Sequence, residues 1–315
     1  MKDILGIFLI TYNRDKYLKD TLESAFSAQS PLKSLDFTIL DNASTDGTEA
    51  LCKEYASKYP NIKYIRHNKN IGGNGNIARA LATAVKEYVW VICDDDLFDW
   101  SAWPPVEEAI KSKNYDLVLT VNKFVKDKQN IAQIFKELTF LPAGIYKTSN
   151  ITGGVIQNIL ANIPNMFPHL GAACAVINNK GKIFVPEKEV IPLRGADRTP
   201  CETLYLRDKE EAVYVPESIR NMFWAVGYIN SAQMIKDKKT RAYILNNCSK
   251  SGFFAFIFTR FRDNKRYYKD NFRNMCSVWC CLNFWQKIQF AFALLLIEIV
   301  YFHCNFSSGK KTAGK

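Results

Sequence analysis

Three adjacent carboxylates, Asp94-Asp95-Asp96, follow the continuously apolar run Tyr88–Cys93. Side by side they repel one another, and their burial costs free energy that a divalent cation offsets by taking up their oxygens. At the tip of a strand such a cluster reads as a Mg2+ or Mn2+ site that clamps a pyrophosphate. An acidic turn or helix cap is the plainer alternative for a lone acidic pair. A second group, Asp41-Asn42-Ala43-Ser44-Thr45-Asp46-Gly47-Thr48, ends the apolar run Phe37–Leu40. There Asp41 can accept a hydrogen bond from a base N–H or a ribose hydroxyl, and the residues after it form a tight Asx/Ser-type turn. A third group, Asn70-Ile71-Gly72-Gly73-Asn74-Gly75-Asn76-Ile77-Ala78-Arg79, puts glycines at a helix start, where backbone can approach an anion closely. Gly73-x-Gly75-x-x-Ala78 mimics a dinucleotide fingerprint. That fingerprint belongs to the first βα turn, which here reads Thr11-Tyr12-Asn13-Arg14 and holds no glycine, so the match is a decoy.

The elements that must carry these groups alternate. Ile4–Ile10, Phe37–Leu40, Ile62–Arg66 and Tyr88–Cys93 read as strands, and Asp15–Ala28, Gly47–Tyr59 and Gly73–Glu87 as helices. Ser44 or Thr45 is the expected N-cap of the second helix. Strands alternating with helices imply βαβ units and a mostly parallel sheet, whose ligands sit at the carboxyl ends of the strands. All three polar groups that follow strands one, two and four fall there. Further on, Ser101–Lys113 and Asn150–Leu160 read as helices, and Leu117–Val121, Ala172–Ile177 and Ala212–Val215 as strands. From Asn230 the pattern is mainly helical.

The chain has 315 residues, 48% of them apolar and 23% charged, and shows no repeat or low-complexity stretch, which excludes disordered and solenoid classes. The net charge of +11 is lopsided. Arg220–Lys315 holds 16 Lys+Arg against 4 Asp+Glu, and the rest is close to neutral. A basic lobe on a neutral one points to an anionic partner, such as a membrane surface, a phosphorylated acceptor or nucleic acid. Met1-Lys2-Asp3 before Ile4–Ile10 does not read as a signal peptide, so reduced thiols are expected for the nine cysteines. Ile288–Cys304 is the most apolar stretch. At 17 residues, with Glu298 inside it, it reads as a buried or interfacial helix, flanked by Lys287, Lys310 and Lys311.

Residues 4–99 resemble the family 2 glycosyltransferases through four ordered pieces: LITYNRDKYL, LDNASTDGT, NKNIGGNGNIARA and WVICDDDLFDW. The resemblance implies an α/β GT-A fold, a Rossmann-like αβα sandwich. Here it would fill residues 1–225, with a nucleotide-binding half (1–99) and an acceptor half (100–225), followed by a basic helical extension (226–315). It implies a nucleotide-sugar donor, with a UDP-sugar the commonest, held by Thr11, Tyr12, Arg14 and Asp41, with Asn74 and Arg79 beside it. It places the Mn2+ or Mg2+ on the last Asp of the cluster, Asp96, with Asp94 and Asp95 toward ribose or hydrated metal. His169 is a further candidate for the metal or the acceptor, against a plain hydrogen-bonding role. The general base is expected before a segment like Tyr214-Val215-Pro216. Asp197, 19 residues before Pro216, is the first choice and Glu202 the second, and the usual Glu-Asp pair is missing. Asp197 could also be a surface ion pair with Arg194 or Arg198. Inversion at the sugar, a glycan or glycolipid acceptor and a place at the inner face of a membrane follow from the same resemblance and the basic lobe.

Two other classes compete. A nucleotidyltransferase needs a glycine-rich basic loop directly after strand one, and Thr11–Lys16 is not one. A nucleic-acid binder could use RFRDNKRYYKDNFR, where basic and aromatic side chains interleave, but that leaves Asp94–Asp96 without a purpose. No nucleic-acid partner is therefore expected.

Overall fold

Uninterrupted β-formers build the first four strands close to where the apolar runs place them. In this computed structural model β1 (Leu5–Thr11), β2 (Asp36–Asp41), β3 (Ile62–Arg66) and β4 (Tyr88–Cys93) alternate with α1 (Asp15–Ala25), α2 (Thr48–Lys58) and α3 (Gly73–Ala82). The structure describes all residues except 193–202, 205–212, 215–216, 263–271 and 313–315. It describes the backbone alone at 203–204, 213–214, 217–221, 272–274, 277 and 301–312. α1 buries Leu18, Thr21, Leu22 and Ala25 as one stripe at helical spacing. β4 is buried on both faces, as an interior parallel strand must be.

The second half comprises α4 (Trp103–Ser112), β5 (Leu117–Leu119), α5 (Ile131–Glu137), β6 (Gly144–Lys147), α6 (Gly153–Ala161), α7 (Leu170–Asn178) and β7 (Ile183–Phe184). The seven strands form one sheet in the order β3-β2-β1-β4-β6-β5-β7. β1 through β4 pair in parallel, whereas β6 runs antiparallel to both β4 and β5. The Trp90 indole donates to the Pro142 carbonyl at 2.8 Å and so ties this insertion to the sheet centre. β8 (Thr203–Leu204) and β9 (Val213–Tyr214) form a separate antiparallel pair.

Two expectations are corrected. Ala172–Ile177 lies in α7, not in a strand, and Leu170 through Val176 are all buried. A short, wholly apolar run carries no period with which to separate strand from buried helix. The cap of α2 comes from Asp46, whose Oδ1 accepts from the Thr48 N–H at 3.0 Å, and not from Ser44 or Thr45. α8 (Glu217–Ala232) follows. That helix packs on the sheet-bearing half, with Trp224 edge-on to Phe167 at 5.6 Å and Tyr228 edge-on to Phe135 at 5.2 Å.

α9 (Lys238–Asn246), α10 (Gly252–Phe261), α11 (Phe272–Cys281) and α12 (Phe284–Thr312) complete the chain. The apolar stretch at 288–304 lies within α12. Among the described residues no helix is long and apolar enough to cross a membrane.

Candidate active site

Register decides where the chemistry collects. Thr11 is paired with Asp41 across β1–β2, and Ile10 with Cys93 across β1–β4. The segments that leave these strands, Tyr12–Arg14, Asn42–Ser44 and Asp94–Asp96, therefore emerge along one edge. Arg14 bridges two of them. Its Nε lies 3.5 Å from Asp94 Oδ1, its Nη2 lies 3.4 Å from Asp95 Oδ2, and its guanidinium rests on the Tyr17 ring at 4.6 Å. The first two loops are stitched together. Asn13 Oδ1 accepts from the Thr45 N–H at 2.7 Å, Ser44 Oγ accepts from the Asn13 N–H at 3.0 Å, and Thr48 Oγ1 accepts from the Arg14 N–H at 3.0 Å. Asn13 and Ala43 both take positive φ, at 51° and 65°. The left-handed region is costly for alanine, so the surrounding bonds must hold the turn in place.

The carboxylates divide into two kinds. Asp41 is fully buried, and both its oxygens are engaged. Oδ1 accepts from the Ser44 N–H (2.9 Å) and Oγ–H (2.6 Å), and Oδ2 accepts from the Tyr64 hydroxyl at 2.6 Å with Arg66 Nε at 3.7 Å. Burial, then the bond to Asp41, pushes the Tyr64 hydroxyl well above its ordinary pKa. Asp41 thus fixes the turn that ends β2, and a base or ribose reaches its oxygens only if Ser44 or Tyr64 gives way. Asp96 is also fully buried and turns back to accept the Cys93 N–H at 2.8 Å. Asp94 and Asp95 carry what exposure the cluster has, with side chains 11% and 24% accessible. Burial raises the Asp94 pKa to about 6 despite the opposing charge of Arg14. Asp94 and Asp95 are thus the more accessible members of the cluster, and Asp96 is the enclosed one.

The glycine-asparagine segment also does structural work. Gly72, at φ 79°, turns the chain into α3. Asn42 reaches it twice, by donating to Asn70 Oδ1 at 2.6 Å and by accepting from the Ile71 N–H at 2.8 Å. The Asn74 amide, expected at the donor, donates to the carbonyls of Ile163 (2.8 Å) and Asn165 (2.6 Å). Arg79 Nη1 lies 2.7 Å from His67 Nδ1, and His67 Nε2 lies 2.9 Å from Asn76 Oδ1. Because arginine only donates, His67 carries its proton on Nε2 and passes the bond to Asn76, whose amide donates to the Leu40 carbonyl at 2.8 Å. His169 is buried against Phe167, and its Nε2 donates to the Leu138 carbonyl at 2.9 Å. Burial lowers its pKa to about 4, so the imidazole stands neutral in the core. Asp197 and Glu202 lie outside the described residues. Tyr64, Arg66 and His67 went unnoticed in the sequence. The only available signal was the two-residue spacing that puts Tyr64 and Arg66 on one face of β3.

No three His, Cys, Asp or Glu side chains among the described residues converge as a metal cage. A nucleotide-dependent Mg2+ or Mn2+ does not need one, since one or two carboxylates plus substrate phosphates are its usual ligands. Asp94 and Asp95 offer hard oxygen donors of that kind beside each other.

Residues 6–162 match the profile of Glycosyl transferase family 2, and on that stretch the chain belongs to this family. Abequosyltransferase RfbV of Salmonella typhimurium is 32% identical over 94 residues, covering 30% of this chain and 28% of that protein. Poly(ribitol-phosphate) beta-N-acetylglucosaminyltransferase TarS of Staphylococcus aureus is 26% identical over 158 residues, covering 46% of this chain and 27% of TarS. The matched stretch thus spans between about a tenth and a half of the length of the curated relatives it matches. The fold extends further than the sequence similarity. The crystal structure of S. aureus TarS 1–349 superposes with a TM-score of 0.59 at 15% identity, over 95% of this chain and 91% of that one. The mannosyltransferase PcManGT of Pyrobaculum calidifontis, solved with GDP-Man and Mn2+, gives 0.51 at 13% identity over 98% and 80%. The architecture is the α/β GT-A fold, with C-terminal helices added.

Proposed function

We propose that the chain transfers a sugar from a nucleoside-diphosphate donor to an acceptor hydroxyl at the edge formed by the ends of β1, β2 and β4. The observation that carries this reading is the Arg14 bridge to Asp94 and Asp95. A buried carboxylate with a raised pKa, next to a second carboxylate and a guanidinium, is suited to receive a cation with its diphosphate. The loop Thr11–Arg14 and the turn Asp41–Ser44 form the walls for the nucleoside. Asp94 and Asp95 would hold Mn2+ or Mg2+, and Asp96 stands behind them. When bound, that ion would supply charge neutralisation for the departing diphosphate. Arg14, released from the carboxylates, has the fork geometry to pair with phosphate oxygens. On the acceptor side Asp197, or Glu202, is assigned the removal of the hydroxyl proton, and a single in-line displacement inverts the anomeric carbon.

A UDP-sugar is the proposed donor, in keeping with the TarS structure solved with UDP-GlcNAc. A glycan or glycolipid of a surface polysaccharide is the proposed acceptor, in keeping with the names of RfbV and TarS. Thermal melting with a panel of nucleotide sugars, with and without Mn2+, tests the donor reading. A ligand bound 100-fold above its Kd raises stability by about 2.7 kcal/mol. If no nucleotide diphosphate raises the Tm with Mn2+ present, the reading fails.

A further inference from the structure

The last helix breaks the usual burial pattern. One face of α12 packs inward through Gln286, Phe290, Ala293 and Ile297. The opposite face should be polar, and it is not. From Phe284 to Val300 every exposed residue is apolar, with Phe284 and Trp285 each 70% accessible and Phe292 and Leu295 above half. Trp285, Ile288, Phe292, Leu295 and Ile299 recur at spacings of three and four, which gives a straight stripe about 21 Å long. α10 widens it. Phe254, half-buried, lies 5.8 Å from Phe292 and stacks on Phe258 at 6.1 Å. A patch of this continuity marks an interaction surface.

Charge selects the occupant. The stripe belongs to a segment of 16 basic and 4 acidic residues, so a second copy would bring like charge to like. Between Phe284 and Val300 the only charged residues are Lys287 and Glu298, too few to provide the flanking ion pairs that register paired helices. Cations flank the stripe instead, with Lys310 and Lys311 beyond its end and others at the start of the helix. A cavity of about 300 Å³ there is lined by Lys238, Arg241, Cys280, Cys281, Asn283 and Gln286, with no acidic group among its walls. Lys287 sits beside it, over the Trp279 ring at 5.6 Å. Apolar side chains, exposed tryptophans and a cationic pocket at one end make up the chemistry of an anionic lipid interface. Among the described residues no helix is long and apolar enough to cross a membrane, and a one-sided apolar stripe of this kind suits a helix lying in the interface plane.

We propose that the outward face of α12, from Phe284 to Val300, docks into the surface of an anionic bilayer, with a lipid headgroup phosphate at Lys238 and Arg241. This docking does not depend on the transferase reading, because vesicle binding needs no donor. The full chain is to be sedimented with vesicles of phosphatidylglycerol and phosphatidylcholine, and with phosphatidylcholine alone. The mixed vesicles should carry the protein down, with Trp279 and Trp285 emission moving to the blue. The triple variant I288Q/F292Q/L295Q should lose at least about tenfold in partition. K238E/R241E should lose the preference for phosphatidylglycerol, since each basic residue contributes about 1 kcal/mol at such a surface. Circular dichroism and melting verify that both variants fold, and Leu295→Gln alone, with a smaller loss of partition, serves if the triple variant does not. Wild-type protein that stays in solution with both vesicles overturns the proposal, as does a folded triple variant that binds like wild type or equal binding to both vesicle types. A dimer that only wild type forms, without vesicle binding, assigns the face to a second copy instead.

Discussion

The edge of the sheet and the helical half treat polarity in opposite ways. Along the edge, charge is kept inside. Asp41 and Asp96 are fully buried, each hydrogen-bonded to main chain or side chain, and Asp94 is nearly so. In the helical half burial favours the neutral form of several enclosed groups. Burial lowers His169 and raises Cys174 and Tyr228, while large apolar side chains stand outside on α12. Both patterns depart from the ordinary rule of apolar inside and charge outside, and each departure falls at a surface for which a partner is proposed above. Charge inside needs an exchange of counter-ions, and apolar surface outside needs a cover.

The contrast makes its largest claim within the carboxylate cluster. Asp95→Ala should reduce sugar transfer by at least about a hundredfold while the Tm stays near wild type, because the lost group faces the cleft. Asp96→Ala should act mainly on stability, at about 1–3 kcal/mol in urea unfolding, because the lost carboxylate accepts the Cys93 N–H. If the two variants exchange phenotypes, the division into exposed and buried carboxylates is wrong.

Acid titration separates the two halves directly. Asp94 has a folded pKa of about 6, above its ordinary value, so folding favours its protonated form and stability falls as pH rises from about 4 through 6. His169 has a folded pKa of about 4, below its ordinary value, so the stability it contributes is present above pH 6.5 and is lost as pH falls toward 4. Each amounts to roughly 3 kcal/mol with opposite sign. Calorimetry between pH 4 and 8 should find Asp94→Asn more stable than wild type at pH 8 and equal to it near pH 4. A variant that shows no gain at pH 8 would remove the burial cost assigned to Asp94. Smaller effects follow. Tyr64→Phe leaves an Asp41 lone pair without its donor and should cost about 1–3 kcal/mol, read from urea midpoints. Ile288→Gln should change stability by no more than about 0.5 kcal/mol, since it already faces water. A loss above 1 kcal/mol would make that face part of the core.

Much of the edge was legible in the sequence because its signals are local. Tyr88–Cys93 is apolar throughout and ends on Asp94, so both the strand and the position of its carboxylates could be read directly. The bonding within the edge was not legible. Ser44 looks like a helix cap, yet its hydroxyl is taken by Asp41, and Asp46 caps the helix instead. Which of several neighbouring polar groups wins a given N–H depends on the turn, and the turn depends on contacts from β3. Tyr64 and Arg66 sit more than 20 residues from their partners, and their two-residue spacing places them on one face of β3 without saying what they meet there. The same holds for β6, whose antiparallel place between β4 and β5 is set by pairing across the fold, and for α7, where unbroken apolarity erased the period.

The Asn74 amide has a consequence for any attempt to work with a shorter polypeptide. Residues 6–162 carry the family signature, yet Asn74 is fastened to the carbonyls of Ile163 and Asn165, just past that limit. Cutting at the edge of the recognisable segment would strip a half-buried amide of both its acceptors and strand β5 without β7. Evolutionary resemblance and cooperative folding therefore draw different borders in this molecule, and a minimal fragment should be trimmed to the second.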